Sequence, residues 1–244
     1  MLQVITPDWP LLNKVSALTT TRSGGVSQPP YDTLNLALHV GDLDTQVIAN
    51  RMMLQEQLQV MQEPKWLQQT HSDLVVDAAT VNTDIVNADA SYTTEPGVVC
   101  AVLTADCLPI VFSDENGHCV GIAHAGWRGL LKGIIQRTIE AMSLHTRPAY
   151  AWLGPAIGPQ AFEVGEDVYK SYTQQNAVFE QVFTASGPGK WKLDIYRAAK
   201  IVLAAADILN VYGGDYCTYT DDELFFSYRR SQRTGRMATL VWIN

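Results

Sequence analysis

Charged side chains are scarce in this sequence: Asp, Glu, Lys and Arg make up 17% of its 244 residues, and their balance is acidic, at −8. A protein that tracks a phosphate backbone needs a basic surface, so nucleic-acid binding is not expected. A small anion held by a few local arginines stays compatible with that charge. Long apolar runs are missing too. The longest, Val98–Leu103, falls far short of the roughly 18 residues that span a bilayer, so no membrane partner is expected. Residues 1–7 show neither a positively charged stretch nor a small-residue cleavage site, which predicts a cytoplasmic protein. Four cysteines without a CxxC pair do not make a disulfide scaffold and read as reduced thiols. Histidine is limited to five residues, few enough to weigh one by one.

What is abundant is apolar material, 47% of the chain, enough for a sizeable core. No repeat, low-complexity tract or long linker divides the sequence. Lys14–Thr21 reads as a strand, followed by the turn-rich Ser23–Pro30. Asp42 is placed to cap a helix running to about Val60, with Val47, Met53, Leu54 and Leu58 on its apolar side. Short strands are predicted around Trp66–Thr70 and Leu74–Ala78, then at Val98–Leu103, Leu108–Phe112 and Cys119–His124. Gly126-Trp127-Arg128-Gly129 opens an amphipathic helix through about Met142, with Leu130, Ile134, Ile135, Ile139 and Met142 at helical spacing. A strand at Ala149–Leu153, a helix near Ile195–Leu209 and a strand at Ala238–Ile243 complete the pattern. Strands grouped between helices point to an α+β fold with mixed sheets rather than strict βαβ alternation.

Three residues able to hold a metal stand at strand ends or breaks: His71 after Gln68-Gln69-Thr70, Cys107 between two apolar strands, and His124 closing a strand. Strand ends present side chains at the rim of a sheet. Three ligands leave a fourth position open, the mark of a catalytic rather than a structural site. Their separations, 36 and 17 positions, match no short metal motif, so two rim histidines and a buried thiol remain the alternative reading. His39 and His118 lie in or beside predicted turns and His145 follows a helix; all three read as solvated. Cys100, Cys119 and Cys217 read as structural.

The run Thr104-Ala105-Asp106-Cys107-Leu108-Pro109, followed by His124-Ala125-Gly126-Trp127-Arg128-Gly129, resembles the signature of the YfiH or laccase-domain family. That family is also described as multicopper polyphenol oxidase-like and as peptidoglycan editing factor. Further matches fall in order at Thr21–Ser27, Tyr31–Leu36, Asn50-Arg51, Ala88-Asp89-Ala90, Gly154–Gly158 and Phe225–Arg230, covering nearly the whole chain. The resemblance implies one catalytic domain over residues 1–244 with an α/β/β/α-like layered fold. It also implies zinc, with copper as the other candidate ion, held by His71, Cys107 and His124. One departure is visible: the family histidine is usually followed by glycine, whereas His71 precedes Ser72, whose Cβ restricts the backbone.

The neighbouring residues carry open assignments. Asp106 is placed to orient a ligand or take a proton from bound water, or else to cap its turn. Arg51 and Arg128 are candidate anion contacts, with ordinary salt bridges as the alternative. Asn35 and Gln68 are candidates for a base edge or a sugar, or for turn stabilisation. The resemblance implies purine nucleosides as substrates: phosphorolysis of adenosine, inosine or methylthioadenosine, and deamination of adenosine, with Cys107, His124 and Asp106 in the chemistry and phosphate as co-substrate. A second reading is an amidase that removes a misincorporated amino acid from a cell-wall nucleotide precursor, through the metal or through Cys107 as nucleophile and His124 as its base. Copper oxidation of phenols is a third, disfavoured because several copper centres need more histidines than five. A metal that only staples a binding module is a fourth.

Overall fold

The computed structural model describes residues 2–11, 13–59, 62–81, 86–146 and 148–244. In chain order its elements are β1 (Val4–Ile5), β2 (Val15–Thr20), α1 (Asp44–Leu58), β3 (Val75–Asp77), β4 (Ala90–Thr93), β5 (Cys100–Thr104), β6 (Leu108–Asp114), β7 (Val120–Ala125), α2 (Trp127–Lys132), α3 (Ile134–Ala141), β8 (Ala149–Leu153), β9 (Glu163–Gly165), α4 (Glu166–Gln175), β10 (Phe183–Gly187), β11 (Lys190–Leu193), α5 (Ile195–Ala205), β12 (Asn210–Gly213) and β13 (Met237–Ile243). They form a four-stranded sheet ordered β1-β2-β13-β5, a six-stranded sheet ordered β12-β8-β6-β7-β4-β3, and a small three-stranded sheet ordered β10-β11-β9. No described helix is long and apolar enough to cross a membrane.

The two larger sheets are apolar on both faces, and strand alternation sorts their side chains into three layers. Val15, Ala17, Cys100, Val102 and Val241 from the four-stranded sheet meet Val111, Val120, Ile122 and Trp152 from the six-stranded one. The outer face of the four-stranded sheet, with Leu18, Ala101, Leu103 and Leu240, packs against Leu54 of α1 and the preceding Leu34 and Leu36. The outer face of the six-stranded sheet, with Ile110, Phe112 and Leu153, receives Leu130, Ile134, Ile139 and Val202 from α2, α3 and α5. The fold is therefore α+β, with helices outside two packed sheets. Burying each of the Val, Leu, Ile and Phe side chains among these contributes about 1.5–3 kcal/mol.

Three local expectations are corrected. The continuous helix through Met142 is two helices, because Gly133 adopts φ +95° and its N–H turns back to Gly129 and Leu130, ending α2. Asp42 does not cap α1. Leu43 stands at that position, while the Asp42 carboxylate accepts from Ser27 and Asn35. Helix α1 ends at Leu58, and Val60 lies outside the described residues. The Trp66–Thr70 segment contributes only isolated bridges, Lys65 to Cys100 and Gln68 to Asn87.

The topology places the site. Strand β5 belongs to one large sheet and β6 to the other, so Ala105, Asp106 and Cys107 cross between layers. On β7, His124 shares a face with Val120 and Ile122 and therefore points into the layer between the sheets.

Candidate metal centre and its cavity

His71, Cys107 and His124 converge, with their ligand atoms all within 4.8 Å of one another. Cys107 Sγ lies 3.7 Å from His71 Nε2. A tetrahedral zinc with bonds of about 2.3 Å to sulfur and 2.0–2.1 Å to nitrogen separates such atoms by about 3.5 Å, so the spacing suits one ion. Gly126 keeps the centre open. A Cβ there would stand 2.9 Å from Cys107 Sγ and 2.9 Å from His71 Cδ2, crowding both donors. One thiolate and two imidazoles form a donor set suited to zinc or copper.

Behind the donors sits Asp89, fully buried. Its Oδ1 accepts from the His71 backbone N–H at 3.0 Å and from His124 Nδ1 at 2.7 Å; its Oδ2 accepts from the N–H of Thr70 and from both the N–H and the hydroxyl of Ser72. With Nδ1 committed to the carboxylate, His124 presents Nε2 to the centre, the usual arrangement for a ligating histidine. The same carboxylate holds the His71 loop, where His71 adopts φ +56°, a conformation costly for a residue with a Cβ. Serine at position 72 adds a hydroxyl donor to this carboxylate, and the left-handed residue is His71, not Ser72.

Electrostatics follow from these contacts. Burial disfavours the Cys107 thiolate, but the adjacent His124 and His71 outweigh it and bring the thiol down to about 6. Burial likewise disfavours a charged His124, yet the Cys107 sulfur and the Asp89 carboxylate raise it to about 9. Asp89, although desolvated, is held well below the usual carboxylate range by His124 and Ser72. Free of metal, the centre is a thiolate–imidazolium pair backed by a carboxylate.

The donors open into a cavity of about 420 Å³. Its apolar wall includes Trp127, Ile157, Phe162 and Ile195, and its polar wall carries Arg128, Arg229 and Arg236. Arg128 lies over Trp127 at 4.3 Å. Arg229 is anchored to the carbonyls of Ala161 and Glu163, and Arg236 to those of Thr234 and Gly235. Asp106 lines the cavity at φ +93°. Its two carboxylate oxygens accept from Thr218 Oγ1 and from the Arg229 backbone N–H, both at 2.6 Å.

Three residues expected at the substrate do not line this cavity. Asn35 is fully buried, and its amide is consumed by Ala37, Asp42 and the Arg236 backbone. Arg51 stacks on Trp66 at 4.1 Å, bonds the Leu36 carbonyl and pairs with Glu63. Gln68 gives way to its neighbour Gln69, which lines the cavity and is locked to both the N–H and carbonyl of Leu103. Conversely, Asp89, Arg236 and His39 emerge only in the folded chain. The sequence signal for Asp89 was an acid between two alanines opening a buried strand, a place where a carboxylate needs partners.

Comparison with known proteins agrees with the earlier resemblance. The sequence model of the family described as multi-copper polyphenol oxidoreductase laccase matches residues 16–244. A purine nucleoside phosphorylase of Pseudomonas aeruginosa is 47% identical over 240 residues, 98% of each chain. The purine nucleoside phosphorylase YfiH of Escherichia coli is 44% identical over 243 residues, the full length of both. The crystal structure of the Neisseria meningitidis protein NMB0706 superposes with a TM-score of 0.94 at 44% identity, covering 99% of both chains. With near-complete coverage in sequence and fold, and Cys107 and His124 of the cluster on the motifs that carry the resemblance, the chain belongs to the YfiH laccase-domain family.

Proposed function

We propose that this chain is a zinc-dependent purine nucleoside phosphorylase, a single catalytic domain over residues 1–244, which also deaminates adenosine in the same cavity. The observation that carries the reading is the meeting, in one cavity, of a three-donor metal cluster and three guanidinium groups. Relatives of 47% and 44% identity that bear the name purine nucleoside phosphorylase support it. A volume of about 420 Å³ falls within the range of small-molecule sites. Zinc bound by His71, Cys107 and His124 would supply a positive charge that polarises a substrate atom and acidifies water. The chain's own residues do the rest. Trp127 and Phe162 offer flat faces to a purine. Arg128 and Arg236 donate to phosphate oxygens beside the sugar. Asp106, with both oxygens engaged, keeps the Cys107 loop and the Arg229 segment in register, so we assign it a positioning task rather than proton carriage. The absence of a disulfide among Cys100, Cys107, Cys119 and Cys217 suits the cytoplasm.

The Cys107–His124–Asp89 line also resembles the nucleophile, base and orienting acid of a cysteine hydrolase, which supports the amidase as the second reading. A zinc-bound thiolate is poorly available to attack, so the two readings part on metal content. Multi-centre copper oxidation is disfavoured, since two of the five histidines serve the cluster and a third, His39, stands apart in the cavity wall.

The test is turnover by purified, zinc-loaded protein of adenosine, inosine and methylthioadenosine, with and without phosphate. Free base and the matching sugar 1-phosphate (ribose 1-phosphate, or its 5-methylthio counterpart from methylthioadenosine) should form only with phosphate, whereas inosine should form from adenosine without it. Arg128→Ala should raise KM for phosphate about tenfold to a hundredfold, the cost of one charge-assisted contact. Arg51→Ala should leave it nearly unchanged. No turnover of any nucleoside would overturn the proposal in favour of the amidase.

A further inference from the structure

His39 has no task in the site as described so far, yet the fold invests heavily in its position. It lies on the short turn Leu38–Val40, exposed, and lines the cavity. Among the described residues, no hydrogen bond or ion pair takes up its ring nitrogens. The turn itself is tied down from every side. Asn35 Nδ2 donates to the Ala37 carbonyl and to Asp42, while Asn35 Oδ1 accepts from the backbone N–H of both Ala37 and Arg236. The Leu36 N–H donates to the Arg236 carbonyl, and Tyr31 Oη to that of Val40. A single buried amide thus clamps the segment bearing His39 to the segment bearing Arg236. The two side chains that leave this clamp for the cavity are an imidazole and a guanidinium.

We propose that His39 and Arg236 form a hydrogenphosphate subsite, in which Arg236 donates to the bare oxygens and His39 accepts the P–O–H proton in a hydrogen bond, so that the cavity selects phosphate over sulfate. The chemistry follows from the anions. At neutral pH phosphate still carries a proton to donate, whereas sulfate carries none and would leave the acceptor facing an oxygen. An acceptor role needs a neutral imidazole. Partial desolvation of the ring in the cavity wall, with the charges of Arg236 and Arg51, lowers His39 from its ordinary value. The acids nearby do not reverse this: Glu63 pairs with Arg51, Asp42 is bonded to Ser27, Asn35 and the Leu43 N–H, and Asp106 to Thr218 and Arg229. Burial lowers Arg236 from its ordinary value, against the negative charge of Cys107 and Asp106; all three line the same cavity, which places an anion on Arg236 close to the His/Cys/His cluster. The inference rests on the reading of this cavity as a phosphate-using site.

The test is calorimetric titration of the zinc-loaded protein with inorganic phosphate and, separately, with sulfate at pH 7.5. The native protein should prefer phosphate. His39→Ala should weaken phosphate about tenfold or more while changing sulfate less than about twofold, as expected for loss of one hydrogen bond to a charged partner. His39→Gln, whose carbonyl still accepts, should recover part of the preference. Arg236→Gln should weaken both anions together. A native protein that does not discriminate, or an unchanged phosphate-to-sulfate ratio in His39→Ala, overturns the proposal. Binding needs no nucleoside, so the two readings fail separately. Selectivity without nucleoside turnover removes phosphorolysis and keeps the subsite; phosphate-dependent turnover with an unchanged ratio removes the subsite alone.

Discussion

Replacing Asp89 with asparagine changes almost no volume and removes one charge, so its effect isolates what the carboxylate does. Five donors converge on it. His71 N–H and His124 Nδ1 meet Oδ1; the N–H of Thr70, the N–H of Ser72 and the Ser72 hydroxyl meet Oδ2. An amide keeps one acceptor oxygen and turns the other into a donor. If the NH2 takes the Oδ1 position, the His71 N–H and the imidazole N–H lose their acceptor. If it takes the Oδ2 position, the N–H groups of Thr70 and Ser72 do, while the serine hydroxyl can rotate. Two donors are orphaned either way, at about 1–3 kcal/mol each, so unfolding free energy should fall by about 2–6 kcal/mol. Loss of the group that orients His124 and the His71 loop should also weaken zinc about tenfold to a hundredfold. Urea unfolding of the metal-stripped protein reads the first quantity, and competition with a chelator of known affinity reads the second. A loss below about 1 kcal/mol, with zinc affinity intact, would refute the claim that this carboxylate organises the centre.

Two further outcomes follow from the same geometry. Gly126→Ala should abolish stoichiometric zinc while leaving the circular dichroism spectrum native, because the backbone there, at φ −64°, accepts alanine but the new Cβ fills the space between Cys107 and His71; full metal occupancy in that variant would contradict it. In the metal-stripped protein, alkylation of Cys107 should rise with pH around 6 rather than near the ordinary 9, since a lowered thiol pKa means that thiolate is already abundant above it. A midpoint near 9 would show that His124 and His71 do not hold the charge.

Much of this was legible in the sequence where chemistry and local pattern coincide. Buried strands such as Leu108–Phe112 and Cys119–His124 announce themselves by continuous apolar runs, and the helix at Ile195 by its spacing. The candidate ligands His71, Cys107 and His124 stood at strand ends, but their spacing matched no short metal motif and it was the family resemblance that singled them out. What stayed hidden depends on contacts distant in the chain. Gly133 splits a helix whose amphipathic period runs straight through it, because only backbone conformation marks the break. The β9–β11 sheet escaped notice since its strands are short and β10 is mostly exposed, leaving no alternation to read. Arg51 looked like an anion contact until Trp66 and Glu63 claimed it. His39 looked like a turn residue, which it is; that its turn faces the cavity follows from the bond between Asn35 and Arg236, some 200 positions apart.

Strand β13 lies between β2 and β5, bonded to both along most of its length. During synthesis, the four-stranded sheet therefore has a gap at its middle until residues 237–243 have emerged from the ribosome. Before then β2 and β5 present unpaired edges, and the apolar layer that ends at the His/Cys/His cluster lacks Val241 between them. A growing chain in this state offers two open strand edges to its neighbours, a hazard that a chaperone would have to cover. It also cannot yet set Arg236 beside His39, since the segment preceding β13 follows every other described strand and helix in chain order. The cavity thus waits for β13, so chains stalled before residues 237–243 should carry neither a finished anion site nor a closed sheet.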